Sequence, residues 1–106
     1  MSYSISNIAQ IINGKAQLPF PDFRIKYLSI DSRRIIDTEA TLFFAITGPR
    51  NDGHNHITEL INEGIKCFVV NHIPPIISDE DINFIVVNDT VKALQKLCAH
   101  HRQNFP

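Results

Sequence analysis

Two short polar segments hold the side chains best suited to gripping a ligand: Asp31-Ser32-Arg33-Arg34, and the run Gly48-Pro49-Arg50-Asn51-Asp52-Gly53-His54. Ser32 offers a hydroxyl that can donate and accept, and backbone amides in such a turn can pair with the edge of a planar heterocycle. Arg33, Arg34 and Arg50 carry forked donors that suit a phosphate or a carbonyl-bearing base. Gly48 and Gly53 let backbone come close to a bound molecule. Each residue alone also has an ordinary explanation. Asp31 and Asp52 can cap turns, and Arg33 and Arg34 can be solvated. Two such segments in one small chain point to recognition rather than bond breaking.

Several reactive arrangements fail on spacing. The run from Gly48 to Gly53 lacks the lysine that follows the second glycine of a nucleotide phosphate loop. No Gly-x-Ser-x-Gly occurs for an esterase. His54 and His56 are two apart, and His100 and His101 are adjacent; neither pair has the i, i+4 geometry of a helical zinc site, so no metal is expected. His100, His101 and Arg102 suit a helix C-terminus electrostatically. The 106 residues support one domain, spanning 1–106. A net charge of −1 gives no broad basic field, which argues against nucleic acid as a partner. Apolar runs fall far short of the roughly 20 residues of a membrane span, and MSYSISNIAQ lacks the regions of a signal peptide. Cys67 and Cys98 sit in apolar pattern and read as reduced core residues of a cytoplasmic protein.

The elements that must position the polar segments alternate in type. Ser4 can cap a helix with the apolar face Ile5, Ile8, Ile11 and Ile12, ended by Asn13-Gly14. Arg24 to Ile30 reads as one strand, with Ile25, Tyr27 and Leu28 inward. Leu42 to Ile46 is a buried strand. A helix follows from His56, with Ile57, Leu60 and Ile61 at helical spacing and Gly64 as its stop. Lys66 to Val70 and Ile82 to Val87 are further strands, the first closed by a Pro74-Pro75 turn. Asn88-Asp89-Thr90 caps a last helix whose inner face is Val91, Leu94, Leu97 and Cys98. This order predicts a small three-layer α/β domain with a mixed, partly parallel sheet, in which Leu42 to Val70 is a strand-helix-strand crossover. Both polar segments then follow strands, where ligands bind in open sheets of this kind. If those strands are neighbours, the two segments form one mouth.

The ordered set Asp31-Ser32-Arg33, Leu42-Phe43-Phe44-Ala45-Ile46-x-Gly48 and Asp52-Gly53-His54 resembles the N-terminal domain of the Mur ligases. It is most similar to the MurF type, which adds D-alanyl-D-alanine to UDP-N-acetylmuramoyl-tripeptide. Glu63-Gly64-Ile65 before Phe68-Val69-Val70, and Val87-Asn88-Asp89-Thr90 with Ala93 to Leu97 and His101-Arg102, extend the resemblance over nearly the whole chain. The wording of Leu42 to His54 is particularly similar to ligases fused to a C-terminal alanine racemase. The resemblance implies that this domain holds the UDP part of the substrate. It places Ser32 and the segment Pro49, Arg50, Asn51 at the uracil end, with Asp31 and Arg33 shaping the pocket and Gly48, Asp52, Gly53 and His54 holding the loop. Two departures stand out: Pro49-Arg50 where some members carry His-Gln, and His56 where an aromatic ring is usual.

The chain reaches Asn104-Phe105-Pro106 where the family runs on into a Gly-Lys-Thr phosphate loop, a central ATPase domain and a C-terminal domain. The resemblance therefore implies an inactive N-terminal piece, in intramolecular contact with the ATPase domain, of a cytoplasmic amide-forming ligase. That ligase uses ATP and magnesium, and pyridoxal phosphate if the racemase is present. Two other readings stand beside it: a stand-alone nucleotide- or phosphate-binding regulatory module of the same fold, and a small enzyme using His54 and Asp52 as an acid-base pair.

Overall fold

The computed structural model describes residues 2–35, 37–48, 52–74 and 81–104. Strand β1 (Tyr3–Ser4) leads directly into helix α1 (Ile5–Ile11), and the Ser4 side chain accepts the Asn7 N–H at 3.2 Å as the expected cap. The helix ends where Asn13 takes a left-handed φ of 55°. Strands β2 (Lys15–Gln17), β3 (Arg24–Ile25), β4 (Tyr27–Ser29) and β5 (Thr41–Phe44) follow. A 3-10 turn over Gly53–His56 feeds helix α2 (Ile57–Asn62), then come β6 (Cys67–Val70), β7 (Asn83–Val86) and helix α3 (Thr90–Asn104).

The main sheet has the order β2-β7-β6-β5-β4. Its last four strands are parallel and β2 is antiparallel to β7, so the sheet is mixed as expected. Leu42, Phe44, Cys67, Val69 and Ile85 face α1 and α3, whereas Phe43, Ala45, Phe68, Val70 and Phe84 face α2. That two-residue alternation, apolar on both sides, makes the three layers and explains the unbroken apolar runs of the strands. Gly64 stops α2 at φ 109°, where a side chain would be strained.

Three expectations are corrected. Arg24 to Ile30 is not one strand: Arg24–Ile25 pairs with β1 in a separate two-stranded sheet, and the chain steps into the main sheet only at Tyr27. Tyr27 is 40% exposed, because β4 is the sheet edge and only the six-residue α2 covers the layer opposite Leu28. Val91 is also 40% exposed; the buried stripe of α3 runs through Thr90, Ala93 and Leu97, and Val91 lies beside it in the first turn. Cys67 is buried and Cys98 half-buried, both as free thiols. Burial pushes the Cys67 thiol up to about 12, partly opposed by the Asn83 amide. Among the described residues, no helix is long and apolar enough to cross a membrane. Pro75, which completes the expected turn after β6, lies outside the described residues.

Candidate functional site

Because β4 to β7 are parallel, their carboxyl ends share one edge of the sheet. The turn after β4 is built by Asp31. Its carboxylate accepts the Arg33 backbone N–H at 2.9 Å and Arg33 Nε at 3.2 Å, and Arg34 Nε stands at 3.9 Å. The Arg33 backbone bond, then its side-chain bond, hold the Asp31 carboxyl below the usual carboxylate range. Ser29 Oγ donates to the Asp31 carbonyl at 3.1 Å and tightens the same turn. Arg33 and Arg34 project into solvent, with side chains 87% and 86% exposed. Ser32 sits half-buried at the tip, and among the described residues its hydroxyl has no hydrogen-bond partner.

The loop after β5 is pinned at its base. Thr47 and Asp52 bridge as in an antiparallel pair, and the Gly53 N–H donates to the Ile46 carbonyl at 2.9 Å. A Cβ on Gly53 would lie 2.9 Å from both Ala45 Cα and Ile46 N, so only glycine lets the loop lie this close to the strand. Gly48 is exposed. Pro49, Arg50 and Asn51 lie outside the described residues.

His54 locks this base to the rest of the edge. Its side chain is 5% exposed, with Nδ1 2.6 Å from Asp52 Oδ1. Its Nε2 accepts the Asn71 backbone N–H at 3.0 Å. A nitrogen that accepts carries no proton, so the ring is held as the Nδ1–H tautomer donating to Asp52. Partial burial pushes the Asp52 carboxyl up. Bonds from the His54 N–H and ring, with Thr47, outweigh that and leave it below its ordinary value. Asn71 in turn donates through Nδ2 to the Val87 carbonyl at 3.2 Å and the Asn88 carbonyl at 3.0 Å. A hydrogen-bonded chain thus crosses the carboxyl edge from β5 over β6 to β7. His72 stacks on His54, ring centroids 4.5 Å apart and planes within 4°. Both nitrogens of His54 serve the fold, which leaves none for proton transfer, so the acid-base reading of His54 and Asp52 loses its base.

The two segments meet. Ile30, Asp31, Ser32 and Arg33 on one side and Ile46, Gly53 and His56 on the other line a cleft of about 270 Å³. Its volume approaches the lower end for small-molecule sites. His56 also stands 3.6 Å from Glu59 on the first turn of α2. Asn71 and His72 were not singled out from the sequence, although their place directly after the apolar run Cys67–Val70 was the signal that could have found them. Among the described residues, no three His, Cys, Asp or Glu side chains group to hold a metal.

The Mur ligase family, catalytic domain, matches residues 24–102. A UDP-N-acetylmuramoyl-L-alanyl-D-glutamate–2,6-diaminopimelate ligase of Clostridioides difficile is 36% identical over 96 residues, covering 91% of this chain and 18% of that protein. A UDP-N-acetylmuramoyl-tripeptide–D-alanyl-D-alanine ligase of Borreliella burgdorferi is 30% identical over 83 residues, 71% of this chain and 18% of its own length. A crystal structure of MurF from Acinetobacter baumannii superposes with a TM-score of 0.82 at 26% identity, covering 98% of this chain and 22% of that one. The chain therefore spans about a fifth of the length of these relatives.

Proposed function

The chain belongs to the Mur ligase family, and from that premise we propose that it is the domain that holds the UDP end of a UDP-N-acetylmuramoyl peptide for an ATP-dependent, amide-forming ligase of cell-wall precursor synthesis. The observation that carries the reading is the cleft between the Asp31-Ser32-Arg33 turn and the pinned base of the Thr47–Asp52 loop, with a Ser32 hydroxyl on its wall that has no partner among the described residues. A uracil ring needs one or two fixed hydrogen-bond partners beside a flat contact surface, and Ser32, neighbouring backbone and Ile46 supply that chemistry. Asp31 sets the turn, Arg33 is poised for phosphate, and Asp52, Gly53 and His54 keep the loop in place. Gly48 shapes the loop with them, and Pro49, Arg50 and Asn51 complete the proposed grip on the base.

The acceptor amino acid is proposed to be D-alanyl-D-alanine, supported by the near-complete superposition on MurF and by the Borreliella burgdorferi relative. The second reading is a diaminopimelate-adding ligase, favoured by the identity to the Clostridioides difficile protein. In either case ATP and magnesium act in the central ATPase domain, which contacts this one, and the enzyme works in the cytoplasm. The alanine racemase domain with pyridoxal phosphate rests on the wording of Leu42 to His54 alone; the coding sequence beyond Pro106 decides it.

Steady-state kinetics of the full-length ligase tests the role. The uracil end is remote from the reacting carboxylate, so its contacts are equal in ground and transition states, and their loss appears in KM. Ser32→Ala and Asn51→Ala should each raise KM for the UDP-muramoyl peptide by a few-fold to about tenfold, the cost of one neutral hydrogen bond. A fall in kcat with unchanged KM, in a folded variant, overturns the assignment. Turnover of D-alanyl-D-alanine against diaminopimelate in the same assay separates the two acceptor readings.

A further inference from the structure

The outer edge of β4 carries a second cleft, of about 290 Å³, that the nucleotide reading does not use. Lys26, Tyr27, Ser29, Arg34, Ile35 and His101 contribute to its lining. The Lys26 N–H donates to the Ala40 carbonyl at 2.9 Å, so Lys26 faces β5. By the two-residue alternation of a strand, Leu28 faces β5 as well, and Tyr27 and Ser29 turn their N–H and C=O groups outward. One step earlier the same outward edge is already occupied: Tyr3 of β1 pairs antiparallel with Ile25. The fold thus adds one strand to this edge itself and, among the described residues, leaves the next stretch open.

The walls suit a strand. Ile35 packs against the α2-side core, and His101 belongs to α3 on the opposite layer, so an added strand would be covered on both faces. The charge is one-sided. Among the described residues, Lys26 and Arg34 line the cleft and no Asp or Glu does. The Asp31 carboxylate reaches Arg34 only at 3.9 Å, with the guanidinium 86% exposed. A lysine on an open edge discourages neutral and basic strands from pairing, and the same charge selects an acidic one. We propose that the β4 edge is a strand-addition site for an extended peptide segment that carries carboxylates, bound by main-chain pairing to Tyr27 and Ser29 with its acidic side chains on Lys26 and Arg34.

The test uses the isotope-labelled 106-residue chain and the synthetic peptide acetyl-Glu-Val-Glu-Val-Glu-amide, with Gln-for-Glu and Lys-for-Glu analogues as controls. Amide shifts should move at residues 26–29 and 34, and hydrogen exchange should slow at Tyr27 and Ser29. Lys26→Glu with Arg34→Glu, both at the surface, should weaken binding by about tenfold or more, and added salt should weaken it further. The proposal is overturned if the peptide perturbs other residues or none, or if the Gln analogue binds equally well. It is also overturned if the Tyr27 and Ser29 amides are already protected in the free chain.

Discussion

Replacing Gly53 by alanine should separate the loop from the strand that carries it. The added Cβ would stand 2.9 Å from Ala45 Cα and from Ile46 N, and both are backbone atoms of a buried strand end that cannot rotate away. Overpacking of this kind costs about 1–3 kcal/mol. Moving the loop also breaks the 2.9 Å bond from the Gly53 N–H to the Ile46 carbonyl, worth about 0.5–1.5 kcal/mol. Against this, Gly53 does not need a left-handed backbone, so alanine gains about 0.4–1 kcal/mol by restricting the unfolded chain. The clash wins, and a net loss of about 0.5–4 kcal/mol remains. Urea denaturation should show the midpoint lowered by a few tenths of a molar or more with an unchanged slope. Hydrogen exchange should speed up at residue 53, whose amide faces Ile46. A Gly53→Ala variant as stable as the parent, with that amide still protected, would refute the close-approach argument.

His54→Ala should lose about 1–3 kcal/mol in the same assay, because it leaves the Asn71 N–H without its partner, takes the ring's bond from the Asp52 carboxylate, which keeps the backbone N–H of residue 54 and Thr47, and removes the His72 stack; a loss under about 0.5 kcal/mol would mean the clamp is ornamental. Asp52 is depressed below its ordinary 3.8 in the folded state. It therefore contributes stability above that pH that is lost as the pH falls through its folded value, and the stability gap to Asp52→Asn, full at neutral pH, should close only below it. Cys67, with its thiol pushed up to about 12, should resist alkylation at neutral pH in the folded chain and react on unfolding, while the half-buried Cys98 reacts first.

The parallel core was legible because its signals are local and strong. Five apolar residues from Leu42 to Ile46, Cys67–Val70 and Ile82–Val87 read as strands covered on both faces, and Ser4, Gly64 and Asp89 read as caps or stops. The short strands were not. Lys15–Gln17 is exposed at every residue, so it carries no alternation to detect; its pairing with β7 comes from main-chain bonds alone. The break at Lys26 was hidden for a related reason, since Arg24 to Ile30 keeps a strand-like pattern while its edge passes from β1 to open solvent. At the site, the two polar segments announced themselves by residue type. The lock from Asp52 through His54 to Asn71 joins residues 17 apart in sequence and depends on which strands are neighbours. No spacing rule contains that information.

The most direct test of the central claim is a nuclear magnetic resonance titration of this chain with uridine 5′-diphosphate, followed into the millimolar range because the rest of the substrate contributes nothing here. Amide shifts should concentrate at residues 30–33, 46–48 and 52–56, which bracket the cleft. Ser32→Ala should weaken them by a few-fold to about tenfold. Shifts centred on other residues, or a Ser32→Ala chain that binds the nucleotide as well as its parent, would contradict the account.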